Sequence, residues 1–188
     1  NAGIGLDNPK VLSRFNRVLA KQQAELVKYG KVKTPLAATQ NMTDEDWQRM
    51  LSVHLNGTFY CTREALKVME KRGSGKVVNL ASICGMTGCV GAPHYSAAKA
   101  GIMGFTRSVA REVIVRGVNV NAIAPGYIDT AMTEMMADSV RQAIAMATPA
   151  GRFGSPGDIA NLAVYLASEE SNFVVGQTIS PNGGYVIA

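Results

Sequence analysis

Tyr95 and Lys99 stand four residues apart in a stretch that reads as a helix, so both side chains leave one helical face. An ammonium group close to a phenol favours the phenolate and draws the Tyr pKa down from about 10 toward neutrality. A tyrosine tuned in this way gives or takes a proton at a carbonyl or alcohol oxygen. Ser82 follows Lys76-Val77-Val78-Asn79-Leu80-Ala81, a segment apolar enough to be a strand buried on both faces. Open α/β sheets bind their ligands at the carboxyl ends of strands. A hydroxyl placed there can hydrogen-bond the same oxygen and orient the carbonyl. Taken alone, the Tyr–Lys pair reads more simply as a surface helix pair; Ser82 and Pro125-Gly126 in register are what raise it to a candidate site.

The surrounding elements follow from periodicity and punctuation. Residues 10–30 carry Val11, Leu12, Phe15, Val18, Leu19, Leu26 and Val27 on one approximate stripe, with Arg14, Arg17, Lys21 and Lys28 mostly off it, which predicts an amphipathic helix closed by Gly30 and Pro35. Thr43 is a good N-cap, and Asp44, Glu45 and Asp46 favour the positive end of a helix running to about Lys71. A Gly-rich loop is expected from Ser82 to Gly91, then a helix from Pro93 to about Val115. A strand over Val118–Ile123 is broken by Pro125-Gly126. A helix over Ala131–Ala147 follows, and another begins at Ser155-Pro156 and ends by Ser168. Gly176–Ser180 reads as a final strand, with a turn at Asn182-Gly183-Gly184. Strands alternating with long helices predict an α/β fold with a parallel sheet covered on both faces, in one domain spanning residues 1–188.

Composition narrows the function classes. The chain has 188 residues, 47% hydrophobic and 18% charged, too apolar for a disordered chain. No apolar run approaches the roughly 18–20 residues needed to span a bilayer, and the first residues do not read as a signal peptide. The net charge of +5 is localised: residues 1–40 hold seven basic and two acidic side chains, while residues 41–188 hold twelve of each. That distribution does not suit a nucleic-acid-wrapping surface. Cys61, Cys84 and Cys89 are odd in number and have apolar neighbours, which predicts reduced thiols in the cytoplasm rather than a disulfide framework. His54 and His94 are far from any Cys pair with zinc spacing, so no metal site is expected.

Several pieces together resemble the short-chain dehydrogenase/reductase family. They are Asn1-Ala2-Gly3, Ser82 thirteen residues before Tyr95, Tyr95-Ser96-Ala97-Ala98-Lys99-Ala100-Gly101, Asn121-Ala122-Ile123-Ala124-Pro125-Gly126, and Gly176-Gln177-Thr178-Ile179-Ser180 through Gly183-Gly184. A lone Tyr-x-x-x-Lys is a weak signal, but five ordered pieces at the right spacing are specific. Within the family the wording is most similar to 3-oxoacyl-thioester reductases. The resemblance implies a Rossmann-like doubly wound fold and an NAD or NADP cofactor, the choice between them not being readable here. It implies Tyr95 as acid/base, Lys99 as the group that lowers its pKa and binds the nicotinamide ribose, and Ser82 as the carbonyl-polarising hydroxyl. Asn1, Ala2 and Gly3 would lie beside the adenosine side of the cofactor. Pro125, Gly126, Ile128 and Thr130 would line the nicotinamide. It also implies a cytoplasmic homo-oligomer, dimer or tetramer, acting on a small-molecule or acyl-thioester substrate. The small residues Ala97, Ala98, Ala100, Gly101 and Gly104 suit close helix packing in such an oligomer.

There are two departures. The family's fourth catalytic residue is an Asn in the helix before the Ser strand, and alignment on Trp47 and Gly57-Thr58-Phe59 places His54 there. The family role uses largely the backbone carbonyl at this position, so His54 can be compatible as a packed helix residue or can join a proton relay. Moreover, the family's opening strand, Gly-rich turn and helix do not precede Asn1. The expectation is that residues upstream of Asn1 exist in the working protein, and that residues 5–33 are a basic helical insert. That insert is read as a solvated face, or as a docking surface for an acidic acyl carrier protein or for coenzyme A phosphates. Met132, Met135, Met136 and Met146 are either core packing or a flexible lid over an acyl chain. The functional expectation is reduction of 3-oxoacyl thioesters to 3-hydroxyacyl thioesters. The alternatives are a sugar, polyol or steroid alcohol substrate, or a non-catalytic binding fragment.

Overall fold

Three parallel strands carry the candidate site. β1 (Gly75–Leu80) pairs with β2 (Val118–Ile123) from Gly75 opposite Val118 to Leu80 opposite Ile123, and β2 pairs with β3 (Thr178–Ile179). The structure is a computed structural model and describes residue 4, residues 9–134 and residues 136–187. All six residues of β2 are buried, as two-sided cover demands of the middle strand. Asn119 and Asn121 survive in that interior because their amides donate to the Val174 carbonyl, at 3.1 and 2.8 Å, while Asn121 Oδ1 accepts from Gln177 N at 2.9 Å. The expected final strand over 176–180 is thus partly recovered. The regular strand is two residues long, yet Gly176 N, Ala122 N and Ala124 N continue its backbone pairing with β2.

The helices in chain order are α1 (Pro9–Tyr29), α2 (Asp44–Leu51), α3 (Gly57–Arg72), α4 (Ile83–Thr87), α5 (Pro93–Val113), α6 (Ala131–Glu134), α7 (Asp138–Ala147) and α8 (Pro156–Ala167). α5 packs along β2 and β1 with α3 beside it, and α8 also packs on β1 and β2. One core cluster joins Ala81, Ile102, Met103, Ala122 and Ala124; a second joins Val109, Ala110, Val113, Val118 and Val120. Burying each such valine or isoleucine contributes about 1.5–3 kcal/mol.

Three expectations are corrected. The single helix expected from 43 to 71 is interrupted by a π-helical turn over Ser52–Asn56, in which the Gly57 amide donates to the Ser52 carbonyl five residues back. From this turn His54 points inward and Asn56 is exposed. The loop expected over 82–91 contains α4, because the Ser82 hydroxyl accepts from the Cys84 amide as an N-cap. The helix expected over 131–147 is two pieces. Ala137 is extended and starts α7, and Arg141 ties α7 back through the Thr133 carbonyl and Asp129.

α1 confirms the expected helix, but its apolar stripe is only partly used. Phe15, Val18 and Leu19 are half-buried, whereas Leu26 and Val27 are 54% and 85% exposed. Its exit is fixed by Glu25, whose carboxylate accepts from Lys33 N, Thr34 N and Thr34 Oγ1 at 2.7, 2.8 and 2.6 Å. No described helix is long and apolar enough to cross a membrane.

Candidate active site

The site sits where β1 and β2 end side by side. Ser82 follows β1 with extended backbone and is 8% exposed. Its hydroxyl accepts from Cys84 N at 3.2 Å and acts on the Tyr95 phenol to lower its pKa. Tyr95 and Lys99 lie in the first two turns of α5, so the helix presents both toward the end of β1. Lys99 is 7% exposed; its Nζ donates to the Leu80 carbonyl at 2.8 Å and stands 5.5 Å from the Tyr95 ring centroid. α5 reaches this close because Gly85 of α4 has no side chain: a Cβ there would lie 2.6 Å from the Lys99 carbonyl carbon.

His54 joins the group from the π-helical turn. It is 4% exposed, and its ring stands edge-on to Tyr95, with centroids 5.2 Å apart and planes at 87°. Nε2 lies 2.9 Å from the Ile4 carbonyl oxygen and 3.3 Å from the Ile4 amide. The His54 backbone carbonyl, which the resemblance expects to hold a water, accepts from Thr58 Oγ1 at 2.7 Å.

The electrostatics correct one expectation. Burial pushes the Tyr95 pKa up, and the Ser82 hydrogen bond only partly opposes this. The Lys99 ammonium does not draw it down; burial lowers the Lys99 pKa itself to about 8, and one of its donors is spent on Leu80. Burial also lowers the His54 pKa, partly opposed by the Ile4 backbone and reinforced by Lys99 and His94. His54 is therefore neutral at physiological pH.

Of the remaining expected residues, Pro125 is brought to the site: its carbonyl accepts from Ile83 N at 3.1 Å, which sets Pro125-Gly126 beside Ser82. Gly126 is needed for a close approach, since a Cβ there would lie 2.7 Å from Asn182 Cα. Ile128 and Thr130 follow on the connection that leads to α6. Ile128 bridges to Gly154, and the Thr133 hydroxyl donates to the Ile128 carbonyl and accepts from Thr130 N. Asn1, Ala2 and Gly3, like Met135, lie outside the described residues. Met132 and Met146 are 46% and 80% exposed, so neither packs in the core.

Sequence reasoning missed the Leu80 carbonyl and the Ile4 backbone, since main-chain partners carry no residue signature. It also missed a bond: Cys84 and Cys89, expected as reduced thiols, are joined as a disulfide with Cα atoms 5.0 Å apart, while Cys61 is free and exposed. The one-turn helix α4 folds the five-residue spacing back on itself and brings the two sulfurs together.

A parallel sheet ending in a Ser–Tyr–Lys constellation defines a class of nucleotide-dependent oxidoreductase folds, and comparison with known proteins agrees. Residues 29–186 match a family described as enoyl-(acyl carrier protein) reductase. The chain is 38% identical over 193 residues to the 3-oxoacyl-[acyl-carrier-protein] reductase FabG of Thermotoga maritima, covering 97% of this chain and 78% of that one. It is 45% identical over 139 residues to the FabG of Aquifex aeolicus, covering 74% and 56%. Among solved structures, a protein described as a 2-deoxy-D-gluconate 3-dehydrogenase from Agrobacterium tumefaciens, with bound NADP, superposes with a TM-score of 0.76 at 41% identity over 78% of this chain and 61% of that one. A 3-oxoacyl-[acyl-carrier protein] reductase from Brucella melitensis gives 0.75 at 37% identity, over 79% and 56%. The chain belongs to the short-chain dehydrogenase/reductase family. It spans a little over half the length of the Aquifex and Brucella relatives.

Proposed function

We propose that the whole protein is an NAD(P)-dependent oxidoreductase that reduces 3-oxoacyl thioesters to 3-hydroxyacyl thioesters. The observation that carries this reading is that Ser82, Tyr95 and Lys99 meet at the end of β1, with Lys99 Nζ on the Leu80 carbonyl and 5.5 Å from the Tyr95 ring centroid. The nicotinamide, when bound, supplies the hydride. Two features of the chain fit that group. Lys99 has three N–H donors and, among the described residues, one hydrogen-bonded acceptor, Leu80, which leaves donors for a ribose diol. Pro125-Gly126 lies beside Ser82 in a form that admits no side chain on Gly126.

Ser82 orients the substrate carbonyl oxygen, and Tyr95 gives that oxygen its proton as the alcohol forms. Burial keeps Tyr95 protonated, which suits it to donate in the reductive direction. His54 holds the Tyr95 ring by its edge contact and is assigned as a positioning residue rather than a proton relay, because its Nε2 is engaged by the Ile4 backbone. Met132, Met136 and Met146 serve as a mobile apolar cover for the acyl chain. The substrate is carried on an acidic acyl carrier protein, the protein acts in the cytoplasm, and it assembles as a homo-oligomer through α3 and α5. These assignments rest on the names of the FabG relatives and on the small and exposed side chains of α3 and α5, including Phe59 and Tyr60 at 41% and 50% exposure.

One observation favours a second reading, oxidation of sugar acids, since solved relatives at 41% and 36% identity are described as gluconate-type dehydrogenases with bound NADP. A panel run on the full-length protein separates the two. Acetoacetyl thioesters and gluconates are offered with NADPH or NADP and with NADH or NAD, and the nicotinamide absorbance is followed. Thioester turnover that Tyr95→Phe reduces by about 10²–10⁴-fold supports the first reading. Turnover of gluconates alone supports the second.

A further inference from the structure

The disulfide Cys84–Cys89 spans the segment that connects the three catalytic side chains. Cys84 N donates to Ser82 Oγ at 3.2 Å, and Cys89 N donates to Ser96 Oγ, beside Tyr95, at 2.9 Å. Between the two cysteines, Gly85 rests against the backbone of Lys99 and Ala100. Ser96 is itself fixed, since its hydroxyl donates to the Ala92 carbonyl at 3.0 Å. Both cysteines therefore hold, through their own amides, a hydroxyl that is in the site or next to it. The loop is open to small reagents: Cys84 and Cys89 are half-buried, while Met86 between them and Val90 directly after Cys89 are 36% and 81% exposed.

We infer that Cys84 and Cys89 form a reversible thiol–disulfide exchange site for low-molecular-weight thiols and disulfides of the glutathione type, and that its state sets the position of Ser82 relative to Tyr95. The functional half of this inference rests on the reductase reading above. The chemistry balances without a cofactor. One cysteine thiolate attacks a sulfur of the oxidised small disulfide and releases one small thiolate. The second cysteine thiolate attacks the protein sulfur of that mixed disulfide, forms the Cys84–Cys89 bond and releases the second small thiolate. The protein loses two electrons and two protons, and the small disulfide takes them up.

The physical coupling is direct. α4 is a single turn, Ile83–Thr87, held by the Ser82 cap, the Gly88 N to Cys84 O bond and the Thr87 hydroxyl on Ile83 O. One turn is far below the length at which a helix is stable alone. The covalent bridge closes it from outside. With the bridge reduced, the Cys84 amide has less to hold it against Ser82 Oγ, and the Cys89 end is free to leave Ser96.

The test uses the full-length protein equilibrated with excess dithiol or with oxidised glutathione. The state of each cysteine is read by alkylation and peptide mass, with exposed Cys61 as the internal control. Amide hydrogen exchange over 82–96 and kcat are then measured in both states. We expect Cys84 and Cys89 to protect each other from alkylation after oxidation. We expect exchange over 82–96 to be at least about fivefold faster, and kcat at least about fivefold lower, in the reduced protein, the low end of a typical coupling. Cys84→Ser and Cys89→Ser should each give the reduced behaviour under both conditions. Alkylation of both cysteines after oxidation, or equal exchange in the two states, overturns the inference. Equal kcat overturns its catalytic half. If the protein turns over no substrate of the panel, the reductase reading fails, and the exchange and alkylation measurements still decide this one.

Discussion

The His54 imidazole meets Tyr95 edge to face, 5.2 Å between ring centroids and 87° between planes, while Nε2 is held by the backbone of Ile4. The contact is made from the π-helical turn over Ser52–Asn56. Edge-to-face ring pairs are worth about 0.5–1.5 kcal/mol beyond their burial.

That geometry separates a positioning role from a relay role. His54→Phe keeps an aromatic edge and has no titratable nitrogen, so it should retain kcat within about threefold. His54→Ala loses the edge and should lower kcat by about three- to tenfold, the ring-pair energy expressed as a rate. Initial rates on both variants check this. Equal, large losses in the two would identify proton transfer through the imidazole instead.

Lys99 gives a prediction with a definite sign. Its folded pKa of about 8 lies below the ordinary 10.5 because burial disfavours the charged form. Between those values the unfolded chain binds the proton that the folded chain has released. The contribution of Lys99 to stability therefore improves as pH rises from about 8 to 10.5, and its penalty is fully present below 8. Lys99→Met should raise the melting temperature most below pH 8, with the gain over wild type shrinking toward pH 10.5. The same proton should appear in the reductive kcat/KM profile of the wild type. The rate should fall as pH passes about 8, since a neutral amine has lost the charge and one of the donors offered to the nicotinamide ribose, and this limb should be absent from the variant.

Much of this arrangement is legible in the sequence, and the exceptions share a cause. β1, β2, α5 and α8 announce themselves through apolar runs, Ser155-Pro156 and the helical spacing of Tyr95 and Lys99, because packing enforces those patterns over many residues. The π-helical turn does not: Ser52–Asn56 has no residue that demands an extra backbone step, and the cost is repaid by contacts with α5 and Ile4 that lie far away in the chain. The Tyr95 pKa departs from the expected direction for a related reason. Spacing says that Lys99 is near, but only the fold says that both groups are buried and that the Leu80 carbonyl accepts a hydrogen bond from the ammonium. The Cys84–Cys89 bond depends on α4, which spacing and apolar neighbours did not suggest.

Gly85 is where packing and catalysis meet. A Cβ at this position would stand 2.6 Å from Lys99 C and 2.7 Å from Ala100 N, both backbone atoms that cannot rotate away. Gly85→Ala must therefore push α4 off α5, which separates the Ser82 cap from the helix bearing Tyr95 and Lys99. Overpacking of this kind costs about 1–3 kcal/mol. The variant should show a lower denaturant midpoint with an unchanged m-value, together with a kcat loss larger than that loss of stability explains when assayed well below the midpoint.

The exit of α1 should respond to acid. Glu25 is held at a pKa of about 2, against an ordinary 4.5, first by the Thr34 hydroxyl, then by the Thr34 and Lys33 amides, with a smaller attraction from Lys21. A depressed carboxylate pKa contributes stability that is present above 4.5 and is lost as pH falls through about 2. Protonation leaves the carboxyl a poorer acceptor for three donors at once, so the clasp over Lys33 and Thr34 should open in that window. Hydrogen exchange of the Lys33 and Thr34 amides, followed from pH 5 down to about 2, checks it. Exchange, corrected for the intrinsic rate, should accelerate as the pH falls. In Glu25→Ala it should already be fast at pH 5 and show no such transition, and protection that persists in the alanine variant would mean that α1 is anchored elsewhere.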